Sequence, residues 1–370
     1  MNIGCVRELK NNEYRVGMTP DNAKEYVAWG HRVYIEQGAG EGSGFDDEAY
    51  RAAGASLLGS AAEVWQAADM IIKVKEPVES EYGLMREGQI LYTYLHLAAE
   101  KKLAVALMER KVKAVAYETL TNENGELPLL KPMSEIAGRL SMIEGAKCLQ
   151  KPMGGAGVLL LGVPGTPKAK VVILGAGVVG MNACKMALGM HADVTIMDIN
   201  LNRLTYLDDI FNGQVKTLVA FDSTIEKELE DADLVIGAVL IPGASAPKII
   251  KKEYLKKMRP GSVVVDVAVD QGGCTETTKP TTHEAPTFKT DGVVQYCVAN
   301  MPGAVARTST VALTNATLAY GVRIASEGLE AAALEDAGIA NGINIYGGKC
   351  VHKNVADSLE LAYTPLHELL

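Results

Sequence analysis

The chain has 370 residues, enough for two domains with separate cores; its 48% hydrophobic and 22% charged content is that of an ordinary soluble globular protein. The net charge of −9, with no basic cluster interleaved with aromatics, argues against a nucleic-acid partner. No apolar run approaches the ~18 residues that span a bilayer, and the charged start (Arg7, Glu8, Lys10) is not a signal peptide, so the reading is a cytoplasmic protein with no membrane association.

In chain order, Asn2 to Val6 reads as a first strand, followed by a polar segment containing Arg15. Asp21 reads as the cap of a helix that ends at Gly30, and Arg32 to Ile35 as a second strand. A glycine-rich loop (Gly38 to Gly44) leads to a short helix. Three further strands are expected at Met70 to Lys75, Ile90 to His96 and Ala114 to Glu118. Lys75, His96 and Glu118 then stand at strand ends, where open α/β sheets bind ligands. With Arg15 they form one candidate group, although each alone is also an ordinary charge or loop histidine. A helix from Met133 towards Gln150 reads as a bridge between domains.

The most informative stretch is Lys168 to Asp198. Lys170 to Leu174 is a β-branched strand running into Gly175-Ala176-Gly177-Val178-Val179-Gly180, which opens a helical pattern through Ala187. The first glycine allows a tight turn, the second lets backbone approach a pyrophosphate, and the third lets helix and strand pack closely. The next strand ends at Asp198, 23 residues after Gly175, the spacing of the acid that binds an adenosine ribose and disfavours a 2′-phosphate. NAD is therefore the expected cofactor; a plain strand–turn–helix with an exposed Asp198 is the alternative. Later strands, Asp233 to Val239, Ser262 to Val269 and Val293 to Val298, lead to Asp270 and Asn300. A helix from Thr310 to about Gly328 should carry the chain back to the first domain. The six cysteines are scattered without CxxC or metal-ligand spacing, so neither a disulfide nor a bound metal is expected.

The motifs KNNEYRVGMTP (10 to 20), GHRVYIEQGAGEGSGF (30 to 45), KVKEP (73 to 77), YLHLA (94 to 98), PMSEIAGR (132 to 139), LGAGVVG, DVAVDQGG (266 to 273) and VANMPGAVARTST (298 to 310) together resemble alanine dehydrogenase over nearly the full length. The resemblance implies reversible, NAD-linked oxidative deamination of L-alanine to pyruvate and ammonia. It implies two Rossmann-like, doubly wound parallel-sheet α/β domains with the active site in the cleft between them. A discontinuous substrate domain would cover 1–130 plus 308–370, and an NAD-binding domain 131–307. On the resemblance, His96 and Asp270 are catalytic, and Arg15, Lys75 and Asn300 bind substrate. The cofactor residues are Ser134, Gly175, Gly177, Val178, Val179, Gly180, Asp198, Arg203, Ala220, Val239, Leu240, Val267, Asp270, Lys279, Val298, Asn300 and Met301. Ala220 departs from the family, many of whose members carry serine there. A homohexamer is implied as well.

The chemistry suits these residue types. Arg15 offers a planar, permanently charged fork for a carboxylate, and Lys75 adds a point charge. His96 can move a proton near neutral pH, and Asp270 can activate water. A rival enzyme reading, the nucleotide-binding part of a proton-translocating transhydrogenase, leaves the Arg15, Lys75, His96 and Asp270 set without a shared purpose. A nonenzymatic NAD-binding protein explains Asp198 but not the polar strand ends.

Overall fold

Short β-branched runs separated by helices give an alternating pattern throughout the computed structural model, which describes residues 1–239 and 246–370. The strands in chain order are β1 (Asn2–Cys5), β2 (Arg32–Glu36), β3 (Ser56–Leu58), β4 (Met70–Ile72), β5 (Ile90–Thr93) and β6 (Lys113–Ala116). Then follow β7 (Lys170–Leu174), β8 (Asp193–Asp198), β9 (Lys216–Val219), β10 (Leu234–Gly237), β11 (Val263–Asp266), β12 (Thr287–Thr290) and β13 (Val293–Tyr296), and finally β14 (Ile343–Tyr346) and β15 (Lys349–Cys350). The chain divides into one unit of Met1–Met133 with Gly303–Leu370 and a second of Ser134–Pro302.

The first unit's sheet has the order β15-β14-β6-β5-β4-β1-β2-β3. It is parallel from β6 to β3, and β14 runs antiparallel to β6. The second unit's sheet has the order β12-β13-β11-β10-β7-β8-β9, with β12 antiparallel to the rest. Each unit thus holds six parallel strands in the doubly wound order. The winding reverses between β1 and β4 in one and between β7 and β10 in the other, and such switch points bind ligands beyond the carboxyl ends of the strands.

Both faces of the second sheet are covered, as an all-apolar parallel strand requires. Val171 and Ile173 of β7 pack with Ala183 and Ala187, while Val172 and Leu174 on the other face pack with Ile225 and Leu229. All six cysteines are buried free thiols. Among the described residues, no helix is long and apolar enough to cross a membrane.

Several elements differ from the expected bounds for local reasons. The helix Pro20–Ala28 is capped by Thr19, not Asp21. Thr19 Oγ1 accepts from the Asn22 amide at 3.2 Å, Asn22 Oδ1 accepts from the Thr19 amide at 3.3 Å, and Pro20 takes the first helical position without losing a hydrogen bond. Strands β4, β5 and β6 stop short, so Lys75, His96 and Glu118 lie in the segments that follow them. Strand β11 ends at Asp266 because its carboxylate accepts from the Ala268 amide at 3.1 Å and caps a 3-10 turn, Val267–Gln271, which carries Asp270. The long return helix starts earlier than expected and runs Ala306–Glu327, and the bridging helix runs Lys131–Cys148.

Candidate active site

In the first unit the residues beyond β1, β4, β5 and β6 form a charged group around that sheet's switch point. Glu8, just past β1, turns its buried carboxylate to the segment after β4 and accepts from the amides of Val74 (2.7 Å) and Lys75 (3.4 Å). The same carboxylate lies 3.4 Å from the ammonium of Lys73, which lies 3.1 Å from Glu81. Lys73 is wholly buried, so this row of two carboxylates about one ammonium is a dry ionic support under the segment carrying Lys75. Thr93 Oγ1 of β5 donates to the Lys75 carbonyl at 3.1 Å, tying the segment to the next strand.

Arg15 is nearly fully buried. Its Nε and Nη2 donate to the two Glu13 oxygens at 2.7 and 2.5 Å, and Nη1 donates to Met133 Sδ at 3.0 Å. Burial alone would lower the guanidinium pKa, but the Glu13 pair outweighs it, so Arg15 stays charged. His96 follows β5 in a left-handed conformation (φ 48°), uncommon for a non-glycine residue. Its ring stacks on Tyr94 at 5.8 Å between centroids and 10° between planes, and the Tyr94 hydroxyl is fixed by donating to the Leu129 carbonyl at 2.6 Å. Burial would raise the Glu76 carboxyl, but its pairing with Lys10 and the charges of Lys75 and His96 hold it below the usual carboxylate range. Glu76, Lys75 and His96 therefore sit within one electrostatic neighbourhood.

In the second unit the glycine turn occupies the switch between β7 and β10. Gly175 has φ 103°, and a Cβ there would come 2.7 Å from the Ala238 carbonyl oxygen after β10. A Cβ on Gly180 would overlap the Gly175 carbonyl oxygen at 1.8 Å, whereas a Cβ on Gly177 would meet nothing within 4 Å. Gly175 and Gly180 are thus required by packing, and Gly177 faces open space at the start of the helix Val178–Gly189, whose first amides favour an anion. Asp198 Oδ2 accepts from the Ala176 amide at 2.6 Å, so the acid at the end of β8 and the glycine turn are held together. Arg203 Nε donates to the Ala176 carbonyl at 2.6 Å. This cradle fits a dinucleotide: it has an unfilled approach to backbone at Gly177, a helix beginning at Val178 and a fixed carboxylate.

The remaining expected residues lie on several elements of the second unit. Ser134 lies in the first turn of the bridging helix, and Val178 and Val179 open the helix after the glycines. The Ala220 amide donates to the Asp198 carbonyl at 3.1 Å. Val239 follows β10, and Leu240 lies outside the described residues. Val267 is the first residue of the 3-10 turn, whose exposed Asp270 accepts from the Asn300 amide at 3.4 Å. Asn300 is also left-handed, at φ 59°. Val298 and Met301 commit their side chains to the core, and Lys279 projects over the Phe288 ring, 5.8 Å from its centroid.

Sequence reasoning missed the supports. Glu8, Lys73, Glu76 and Tyr94 carry the geometry of the first group, and buried Asp266 organises the Asp270 turn through the amides of Ala268, Cys274 and Thr275. One signal was present: a lysine inside the apolar run MIIKVK needs a buried counter-charge.

Two family models match the chain: alanine dehydrogenase/PNT, N-terminal domain, over residues 4–137, and alanine dehydrogenase/PNT, C-terminal domain, over residues 141–353. The alanine dehydrogenase of Methanococcus maripaludis is 54% identical, with 100% of both chains covered. A solved L-alanine dehydrogenase superposes with a TM-score of 0.94 at 50% identity, covering 97% of this chain and 99% of its own. A transhydrogenase from Sinorhizobium meliloti, at 24% identity, shares the fold with a TM-score of 0.81 over 95% of this chain and 99% of its own. With both family models and a full-length relative in agreement, the chain belongs to the alanine dehydrogenase/PNT family.

Proposed function

We propose that this protein catalyses the NAD-dependent, reversible oxidative deamination of L-alanine to pyruvate and ammonia. The observation that carries the reading is the presence in one chain of two doubly wound sheets with different equipment at their switch points. One bears a cation and imidazole group suited to a small carboxylate, and the other a glycine turn with an acid held against it.

Residues 1–133 with 303–370 serve as the substrate unit, and residues 134–302 as the cofactor unit. Arg15, kept charged by Glu13, and Lys75, whose ammonium has no ion-pair partner among the described residues, hold the substrate carboxylate by charge-assisted hydrogen bonds. His96 gives or takes the proton at the substrate oxygen or nitrogen. Asp270 orients and deprotonates the water that adds to the iminium carbon, and Asn300 orients the substrate beside it. When bound, NAD supplies the hydride acceptor at its nicotinamide ring. Hydride transfer needs donor and acceptor within about 3.5 Å. Asp198 selects NAD over NADP, because a carboxylate beside a 2′-phosphate is a like-charge contact. A cytoplasmic homohexamer is the proposed working form, checked by sedimentation.

The activity test follows NADH formation from L-alanine and NAD, and its loss on reverse reaction with pyruvate and ammonium. His96→Ala and Asp270→Asn should each lower kcat by about 10² to 10⁴ while NADH still binds. Either variant at wild-type rate removes that residue from the mechanism, and an inactive wild-type protein removes the function.

A further inference from the structure

Glu118 belongs to the strand-end group visible in the sequence, yet it has no part in the proposed reaction. Its carboxylate, partly buried beyond β6, faces backbone. Oε1 accepts from the His96 amide at 2.6 Å and from the Leu95 amide at 3.2 Å, and Oε2 also lies 3.2 Å from the Leu95 amide. Among the described residues it has no ion-pair partner. The Glu118 charge would raise the His352 imidazole, but burial outweighs it and lowers that group from its ordinary value. A charged group spent wholly on two amides is there to fix the backbone that bears them. That backbone is unusual: His96 sits at φ 48° and ψ 35°, a conformation that a non-glycine residue keeps only where its surroundings over-determine it.

We infer that Glu118 is a positioning residue for the reaction, holding the Leu95-His96 turn left-handed so that the imidazole is presented off the end of β5. Tyr94 fixes the same imidazole from its face, by the stacking described above. The two supports are complementary: the carboxylate sets where the ring leaves the chain and the phenol ring sets its plane. The inference rests on the reading of His96 as the acid/base group.

Three substitutions separate reach from charge. Glu118→Gln keeps an oxygen in place of Oε1 and loses the charge. Glu118→Asp keeps the charge but withdraws it by one methylene, and Glu118→Ala removes both. Positioning by reach predicts kcat within about threefold of wild type for Gln. It predicts a loss of about 10- to 100-fold for Asp and Ala, the effect of a misplaced catalytic group. KM for pyruvate and the NADH dissociation constant should stay unchanged in all three. Wild-type kcat in Asp and Ala overturns the inference, and so does Gln falling as far as Ala. If Ala fails to fold, the Gln and Asp pair decides. Adding Glu118→Asp to His96→Ala should cost no further rate, and a fully additive loss overturns action through His96. Wild-type activity in His96→Ala alone overturns instead the function from which the inference starts.

Discussion

Gly177 and Gly180 occupy the same turn under different constraints. Alanine at 180 would drive its Cβ into the Gly175 carbonyl oxygen, while alanine at 177 meets open space and keeps an allowed backbone conformation (φ −70°, ψ −161°). Gly180→Ala is therefore expected to destabilise the protein by about 1 to 3 kcal/mol, the range for overpacking. Gly177→Ala should leave the melting temperature unchanged and weaken NADH by about tenfold or more, because its methyl group stands where the pyrophosphate approaches. Paired thermal melts and NADH fluorescence titrations check both, and equal effects on stability and binding in the two variants would count against the cradle. Glu76 gives a pH test. Burial opposes its ionisation, but Lys10, Lys75 and His96 together bring its folded pKa below the ordinary 4.5. A depressed carboxyl stabilises the folded state above the unfolded pKa and loses that contribution as pH falls through the folded one. Wild type should thus exceed Glu76→Gln in stability by about 1 kcal/mol at neutral pH. The gap should close below pH 4.5, as urea titrations across pH would show.

Among the elements, the glycine turn, the strand before it and the acid after it were legible because each has a local cause in adjacent residues. The bounds beyond β4, β5, β6 and β11 were less so. Lys75, His96 and Glu118 read as strand ends, but the chain leaves the sheet earlier, drawn off by side chains distant in sequence such as Glu8 on Val74 and Glu118 on His96. Similarly, nothing beside Asp266 announces that its carboxylate will cap a 3-10 turn and gather Cys274 and Thr275. Long-range polar contacts leave no period in a sequence. The segment after β4 is the sharpest case, since buried Lys73 holds together Glu8 and Glu81 from two other segments. Lys73→Met conserves volume but leaves two carboxylates without their cation, and should cost about 3 to 5 kcal/mol at neutral pH by denaturant titration. A loss under about 1 kcal/mol would mean that the Lys73 ammonium is not what holds the two carboxylates in place.

For the whole molecule, the assignment of cofactor to residues 134–302 predicts where ligand protection appears. NADH at about 100 times its dissociation constant stabilises the state that binds it by about 2.7 kcal/mol. Hydrogen exchange should slow first in the peptides spanning 175–203, which carry the glycine turn, Asp198 and Arg203, with β2 and β3 little changed. The opposite distribution would assign the cofactor to the other unit. The order of strands in the first sheet bears on biosynthesis. Strand β6 is flanked by β14, whose residues lie about 230 positions later in the chain. At roughly 5 to 20 residues per second, the ribosome makes that interval in about 10 to 50 s. During that time the early-made sheet has an open β6 edge, and Ser134–Pro302, an uninterrupted stretch, can complete its own fold first. The part of the protein made first is thus finished last, and its unpaired edge is the place where a nascent chain would need shielding from its neighbours.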